Sequence, residues 1–225
     1  MIAAAGTPAT LVYRPPMEPF LDIVHQDDAL LVLNKPSGLL SVPGKPADQA
    51  DCLEARAISK FPTAQTAHRL DRPTSGLFVM GLTAEARRNL GIQFEKRLVS
   101  KTYIARVGGR LPEPTGRVEG AMRSDWPNRP RQMIDHEYGK AAATEWEALD
   151  HDPSSTRVLL RPITGRTHQL RVHMAWIGHP ILGDEFYAPP PLRAAANRLQ
   201  LHAESIAFRH PSTGDPVRFE VPCPF

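Results

Sequence analysis

The sequence predicts an α+β fold with a mixed, mostly antiparallel central sheet and flanking helices. Apolar runs of strand length follow one another closely, and most of them are separated by turns rather than by helices. The few helical patterns do not alternate regularly with strands, as they would in a wound βαβ fold. The 225-residue chain is 41% hydrophobic and 23% charged, an ordinary composition for a globular protein.

Short patterns predict the elements of the N-terminal half. The stretch FLDIVHQDDALLVLNKPSGLL predicts two strands that form a hairpin around Asp27 and Asp28. A helix is predicted in QADCLEARAISKF and a strand in GLFVMGLT. A second helix is predicted in TAEARRNLGIQFEKRL, where Thr83 can cap its first turn.

The C-terminal half contains five more predicted strands: SKTYIARVGG, AAATEWEAL, TRVLLRPI, LQLHAESIAFRH and PVRFEVP. The third of these strands ends at Ile163. A helix with Thr167 as its cap is predicted between it and the fourth strand. Gly178 and Pro180 are expected to stop that helix.

The chain is expected to form a flexible arm at residues 1–18 and a single domain at residues 19–225. The alanine and proline content of the arm is typical of loose chain, and the arm lacks the pattern of a signal peptide. No segment has the length and apolar character of a membrane-spanning helix. Cys52 and Cys223 indicate neither a disulfide framework nor a metal site. We therefore expect a cytoplasmic protein.

The charge is unevenly distributed along the chain. Residues 87–131 contain eleven Lys/Arg and four Asp/Glu, a local net charge of +7, whereas the whole chain has a net charge of +3. A basic region on an otherwise neutral body is typical of binding to a polyanion such as nucleic acid. The alternative is a set of basic residues that face solvent and bind nothing.

The stretch HRLDRPTSG places one carboxylate, Asp71, between Arg69 and Arg72, directly before an apolar strand. If the chain is extended there, Arg69 and Asp71 point to the same side and Arg72 to the other. Such a carboxylate is suited to catalysis, but Asp, Pro, Thr, Ser and Gly are also ordinary turn residues. The stretch alone leaves both interpretations open.

The helix in GRTHQLRVHMAWIG contains a second candidate, Arg171, beside an apolar stripe. An arginine in this position either pairs with a carboxylate or covers apolar surface with its stem. His168 and His173 are five residues apart, about 140° around a helix, whereas zinc-binding helices use a spacing of four. No metal site is predicted. P-loop and dinucleotide signatures are missing from the sequence, as is a second distinctive carboxylate for a glycosidase.

Four stretches, LLVLNKPSGLLSVPG, HRLDRPTSG, KTYIARV and PITGRTHQLRVHM, together resemble the RluA-type pseudouridine synthases. The resemblance runs from about Val24 to Phe208, with the motifs in the family's order. The stretch SDWPNRPRQ resembles the subgroup that modifies both large-subunit ribosomal RNA and transfer RNA. The chain has no room for the S4 RNA-binding domain that precedes the catalytic domain in many relatives.

The resemblance implies an isomerase that detaches uracil from ribose C1′, turns it and rejoins it through C5, without a cofactor. It implies that Asp71 is the catalytic carboxylate and that Arg171 is its arginine partner. It assigns Tyr103 to packing against the base, and Arg69 to the space that a flipped nucleotide vacates. Whether the carboxylate attacks covalently or removes a sugar proton stays open.

The target base must leave its stack to reach the carboxylate, so the enzyme is expected to grip RNA through phosphates in a basic cleft. The residues expected to contact RNA are Arg123, Asn128, Arg129, Arg131 and Arg166. The expected partners are large-subunit ribosomal RNA and transfer RNA, and the protein is expected to act as a monomer. Two alternatives stay open: a synthase for one RNA class, and an inactive RNA-binding or ribosome-assembly protein on the same fold.

Overall fold

The computed structural model describes residues 13–225. Residues 1–12 of the predicted arm lie outside the described residues. Within the rest of the arm, Tyr13 is buried against the body of the protein. Its hydroxyl donates a hydrogen bond to the Asp51 carbonyl at 2.7 Å and accepts one from the Leu40 N–H at 3.0 Å.

The described residues contain eleven strands and four α-helices. The strands are β1 (Ile23–Gln26), β2 (Leu30–Lys35), β3 (Gln65–Thr66), β4 (Ser75–Gly81), β5 (Ser100–Gly108), β6 (Thr115–Ser124), β7 (Gln132–Ile134), β8 (Lys140–His151), β9 (Ser155–Pro162), β10 (Leu201–Arg209) and β11 (Pro216–Glu220). The helices are α1 (Leu53–Lys60), α2 (Ala84–Glu95), α3 (Gln169–Trp176) and α4 (Pro190–Ala194). None of these helices is long and apolar enough to cross a bilayer.

All eleven strands belong to one sheet, whose main path is β1-β2-β4-β10-β5-β9-β8-β6-β7. Strand β11 pairs with β10, and β3 pairs with β4. Every pairing is antiparallel except that of β4 with β10. The predicted mixed, mostly antiparallel sheet is therefore confirmed, and so is the hairpin of β1 and β2. The sequence did not predict β3, β6, β7 or α4.

The parallel contact between β4 and β10 depends on Gly76. Gly76 lies opposite Ala203 with a φ of +109°, and a Cβ added there would lie 2.2 Å from the Ala203 carbonyl oxygen. Only glycine accepts both this conformation and this approach. Because β10 also pairs with β5, the contact brings the loop that precedes β4 close to β5.

The helix starts were predicted with mixed success. Thr83 caps α2 as predicted, since its hydroxyl accepts a hydrogen bond from the Ala86 N–H at 3.0 Å. The prediction of Thr167 as the cap of α3 was wrong, because the helix begins later and His168 occupies the cap position. The side chain of Gln169 orders this start: its Oε1 accepts hydrogen bonds from Thr164 Oγ1 at 2.6 Å and from the Arg166 N–H at 3.0 Å.

Two apolar clusters meet at Tyr103 in the middle of the sheet. One contains β2, β4 and α1 side chains such as Phe78 and Leu53, and the other contains β5, β9 and α3 side chains such as Leu160 and Met174. Tyr103 packs against both clusters. The functional candidates therefore lie where the two halves of the core join.

Candidate active site

A cleft of about 740 Å³ opens where these two halves meet. Its walls are the loop at residues 66–74, the start of β5, the end of α2, and the segment from Pro162 to Arg171. The cleft is lined by five basic side chains and two acidic ones: Arg69, Arg97, Lys101, Arg166 and Arg171, with Asp71 and Glu95. The predicted basic cleft is confirmed, and all four predicted catalytic residues line it.

The loop that carries Asp71 is hydrogen-bonded to the segment that follows β2. Ser41 Oγ donates to the Leu70 carbonyl at 2.7 Å and accepts from the Leu70 N–H at 3.1 Å. Ser37 Oγ donates to the Pro73 carbonyl at 2.7 Å. These bonds bracket Asp71 on both sides, so the loop position is fixed independently of any substrate.

Lys35, at the end of β2, adds a buried ammonium group beneath the same loop. Its Nζ donates to the Leu39 carbonyl at 2.6 Å and to the Arg72 carbonyl at 3.0 Å. Burial lowers the pKa of Lys35 to about 7, although the negative charge of Asp71 opposes this shift. Sequence reasoning did not single out Lys35, although it lies in LLVLNKPSGLLSVPG, one of the stretches that carry the family resemblance.

Arg171 is fully buried and is held by two carboxylates. Its Nε and Nη2 each donate to an oxygen of Asp184 at 2.8 Å, and its Nη1 donates to Asp71 Oδ2 at 3.1 Å. The expected contact with Asp71 is therefore present, and Arg171 does not use its stem merely to cover apolar surface. Burial disfavours the Arg171 charge, but the hydrogen bonds and charge of Asp184, together with Asp71, raise its pKa overall.

Sequence reasoning missed Asp184, which is completely buried. Besides Arg171, its Oδ1 accepts hydrogen bonds from the backbone N–H groups of Phe186 at 2.9 Å and Tyr187 at 3.2 Å. A buried carboxylate of this kind fixes the guanidinium plane, which then directs one N–H at Asp71. Only its position soon after the helix, in ILGDEFY, could have indicated it.

Tyr103 and Lys101 lie two residues apart on β5, so both side chains face the cleft. Burial, with the nearby Asp71 charge as a second cause, raises the pKa of the Tyr103 phenol above its usual value. Tyr103 is therefore a neutral phenol at physiological pH. A flat aromatic ring next to a carboxylate offers a surface on which a planar base can stack.

The two arginines that flank Asp71 differ in their surroundings. Arg69 is exposed and lines the cleft, on the same side as Asp71. Arg72 is turned away from the cleft, and its Nη2 donates to Glu185 Oε1 at 3.2 Å. Arg72 lies in a turn closed by a hydrogen bond from the Thr74 N–H to the Asp71 carbonyl at 3.1 Å, so its direction follows from the turn and not from an extended chain.

The residues expected to contact RNA lie at 123–132, hereafter the rim segment, except for Arg166. Arg123 pairs with Asp135, and Asn128 donates to Asp125 Oδ2 at 3.0 Å. Arg129 lies over the exposed Trp126 ring at 3.8 Å, and Arg131 lies over the Tyr187 ring at 5.5 Å. Arg166 lines the cleft itself.

The rim segment contacts the cleft wall through a backbone group. The Gln132 N–H donates to the Tyr187 hydroxyl at 2.8 Å, and that hydroxyl lies 2.7 Å from His168 Nδ1. His168 lines the cleft, so a chain of hydrogen-bonded groups runs from the rim segment to the cleft wall. Across residues 13–225, no group of three His, Cys, Asp or Glu side chains is arranged to hold a metal ion.

Comparison with known families gives one clear match. Residues 29–176 match the family described as RNA pseudouridylate synthase. Asp71, Tyr103 and Arg171 all fall inside the matched range, as does the whole rim segment.

Individual relatives agree with this match. The chain is 50% identical over 214 residues to the dual-specificity RNA pseudouridine synthase RluA of Escherichia coli (strain K12), covering 95% of this chain and 98% of that one. It is 51% identical over 218 residues to the protein of the same name from Pasteurella multocida, covering 96% and 100%. Its fold is similar to human RNA pseudouridylate synthase domain containing 1, with a TM-score of 0.77 and 31% identity, covering 91% and 84%.

Proposed function

This chain belongs to the RNA pseudouridylate synthase family, and we propose that it isomerises uridine to pseudouridine in two RNA classes, large-subunit ribosomal RNA and transfer RNA. The dual specificity is proposed because relatives that are about half identical along almost their whole length bear that name. The one observation that carries the catalytic proposal is the contact of Arg171 with Asp71 inside a basic cleft.

The reaction breaks the bond between ribose C1′ and uracil N1 and forms a bond between C1′ and C5. The C5 proton leaves the base and N1 gains a proton, so the overall composition does not change. An ionised carboxylate can serve this chemistry in two ways, by attacking C1′ or by removing a sugar proton so that a glycal forms. We assign this carboxylate to Asp71 in either route.

The oxygens of Asp71 are used differently. Arg171 Nη1 contacts Oδ2 at 3.1 Å, and His168 Nε2 lies 3.8 Å from the same oxygen. We therefore assign Oδ1 to the substrate. Arg171 sets the rotamer of this carboxylate, because a charge-assisted hydrogen bond is strong and directional. Tyr103 supplies the surface on which the detached base turns.

The rest of the cleft is suited to an extruded nucleotide. Extrusion of a base costs a few kcal/mol of stacking and pairing. Phosphate contacts from the basic cleft and from the rim segment offset this cost without reading sequence. Arg69, exposed beside Asp71, is positioned to enter the space that the base leaves. Because one chain supplies every one of these groups, we propose that the enzyme acts as a monomer, in the cytoplasm where both RNA classes are made.

The proposal is tested by offering the purified protein full-length transfer RNA, large-subunit ribosomal RNA and a minimal stem-loop of each. Pseudouridine is then located by chemical mapping. Modification of both classes is expected, with the minimal stem-loops as substrates. Modification of one class only would overturn the dual specificity, and no pseudouridine in either class would overturn the proposed activity.

A further inference from the structure

His168 has a backbone conformation that requires explanation. It lies at the start of α3 with a φ of +56°, and within the described chain only one other non-glycine residue, Arg97, has a positive φ. This conformation is uncommon for a residue with a side chain, and such residues often occur at functional sites. It places the imidazole, only 9% exposed, between Tyr187 and Asp71.

The hydrogen bonds around Tyr187 favour one arrangement of the protons on this imidazole. The Tyr187 hydroxyl accepts the Gln132 N–H at 2.8 Å, so its own proton is available to His168 Nδ1 at 2.7 Å. A neutral imidazole that accepts at Nδ1 carries its proton on Nε2. Burial lowers the pKa of His168, which keeps the ring neutral, although the Asp71 charge opposes this shift.

The protonated Nε2 of His168 is then the ring nitrogen nearer to Asp71 Oδ2, the oxygen to which Arg171 Nη1 donates. The distance of 3.8 Å exceeds that of a hydrogen bond, but catalytic contacts are often long before the substrate binds. The stacked Phe186 ring, with its centroid 5.8 Å from that of the imidazole, limits movement of the ring. Arg171 Nη1 and His168 Nε2 both lie on the Oδ2 side of the carboxylate, which leaves Oδ1 as the oxygen that meets the nucleotide.

We propose that His168 is a positioning residue: its Nε2–H holds Asp71 Oδ2, and Tyr187 connects it to the rim segment. This inference rests on the proposed function. Because Gln132 is in the rim segment and Arg131 lies over the Tyr187 ring at 5.5 Å, RNA bound there acts on His168 through Tyr187. RNA engagement and the orientation of the catalytic carboxylate are thereby coupled.

Two substitutions of His168 separate positioning from the backbone effect. Asn tolerates a positive φ but is too short to reach both Tyr187 and Asp71, whereas Gln can place an N–H near the position of Nε2. We expect His168→Asn to lower the single-turnover rate at saturating RNA by on the order of ten- to a hundredfold. We expect His168→Gln to retain most of that rate, and in His168→Asn the dissociation constant for RNA should change by far less than the rate, because the phosphate contacts of the rim segment are untouched. A wild-type rate for His168→Asn would overturn the proposal.

Tyr187→Phe tests the connection without altering the backbone of His168. It removes the proton that fixes the tautomer, so the rate should fall, and combining it with His168→Asn should cause no further loss. If His168→Asn does not fold, Tyr187→Phe decides alone. A wild-type rate for this variant, or multiplying losses in the double variant, would overturn the proposal.

Nitrogen NMR of labelled histidine gives a test that does not depend on activity. The expected result is a neutral His168 with its proton on Nε2 in the wild-type protein, and loss of this preference in Tyr187→Phe. A proton on Nδ1 in the wild-type protein would overturn the proposal. A wild-type protein that forms no pseudouridine but has the expected tautomer would instead contradict the proposed function.

Discussion

The cleft wall and the rim segment both rely on arginine, but they use it in opposite ways. In the wall, Arg171 is 1% exposed and three of its nitrogens are fixed by Asp71 and Asp184. In the rim segment, Arg129 is exposed and its guanidinium is stacked on Trp126, itself 65% exposed. The buried guanidinium of Arg171 can orient the Asp71 carboxylate but cannot reach RNA. The exposed guanidinium of Arg129 can contact an RNA phosphate but orients no carboxylate.

This difference separates two properties of the enzyme. Groups that hold Asp71 should determine the rate at saturating RNA, because they act on the carboxylate that we propose reacts. Groups of the rim segment should determine affinity and its salt dependence, because phosphate contacts release counterions. Changes in the wall should therefore have the largest effects and changes in the rim segment the smallest.

Asp71→Asn should abolish turnover, because an amide preserves the shape of the side chain but acts neither as nucleophile nor as base. Release of tritium from uridine labelled at C5 measures the reaction directly. Thermal unfolding and RNA binding should stay close to wild type, since the rim segment is untouched. Clear tritium release by the purified variant would refute the assignment of Asp71.

Asp184→Asn should destabilise the cleft wall, although Asp184 itself does not face the substrate. It leaves the buried Arg171 guanidinium without its main counter-charge, which should lower the free energy of unfolding by about 3 kcal/mol. Urea titration measures this loss, and the turnover rate should fall with it. Glu185→Gln is the matched control, because Glu185 pairs with the partly exposed Arg72. Equal stability losses in the two variants would mean that Asp184 does not stabilise the buried Arg171 guanidinium.

Acid should destabilise the protein through its buried histidines. His173, two residues from Arg171 on α3, and His202 on β10 are buried, and burial lowers the pKa of each from 6.5 to about 4. In the unfolded chain these histidines bind a proton below pH ~6.5. In the folded protein they stay neutral down to about pH 4, so between these values the unfolded state binds more protons.

The free energy of unfolding should therefore fall by about 1.4 kcal/mol per pH unit for each histidine in this window. Urea titrations between neutral pH and pH 4 measure the slope. His173→Gln should make the slope shallower, whereas the exposed His151→Gln should leave it unchanged. An identical slope in wild type and His173→Gln would contradict the explanation.

Arg129→Ala should have the smallest effect. Losing one phosphate contact should reduce the slope of log affinity against log salt by about 1 and weaken binding alike for all RNA sequences. Filter binding or fluorescence titration over a salt series measures this slope. Arg218→Ala on β11 serves as the control, since Arg218 is paired with Glu220 outside the cleft. The same change in slope for both variants would show only a general charge effect.

Local patterns were sufficient for much of the fold. The alternation around Asp27, the Thr83 cap and the apolar strands were all visible in sequence because they depend on neighbouring residues. The Thr167 cap failed because the Gln169 side chain, through contacts with Thr164 and Arg166, holds the chain in a different path. Strand β6 was not predicted because glycines and charged residues interrupt its apolar positions.

The site was predictable only where motifs stood out. Asp71 and Arg171 stood out in their own stretches, the family resemblance added Tyr103 and the expected roles, and the structure places all three in one cleft. Asp184 lies close in the chain to Arg171, Phe186 and Tyr187, but it was missed because nothing in ILGDEFY shows that its carboxylate is buried. Lys35 was missed because its contacts join segments far apart in the chain. Lys35, for example, reaches the Arg72 carbonyl across 37 positions.

The division between wall and rim is tested most directly by comparing Arg171→Lys and Arg129→Ala on one stem-loop substrate. The rate at saturating RNA and the half-saturating RNA concentration are measured for both. Arg171→Lys keeps the charge but loses the planar fork that grips two carboxylates, so its saturating rate should fall with little change in RNA affinity. Arg129→Ala should reach the wild-type rate at a higher RNA concentration. Equal losses of the saturating rate in the two variants would contradict the division.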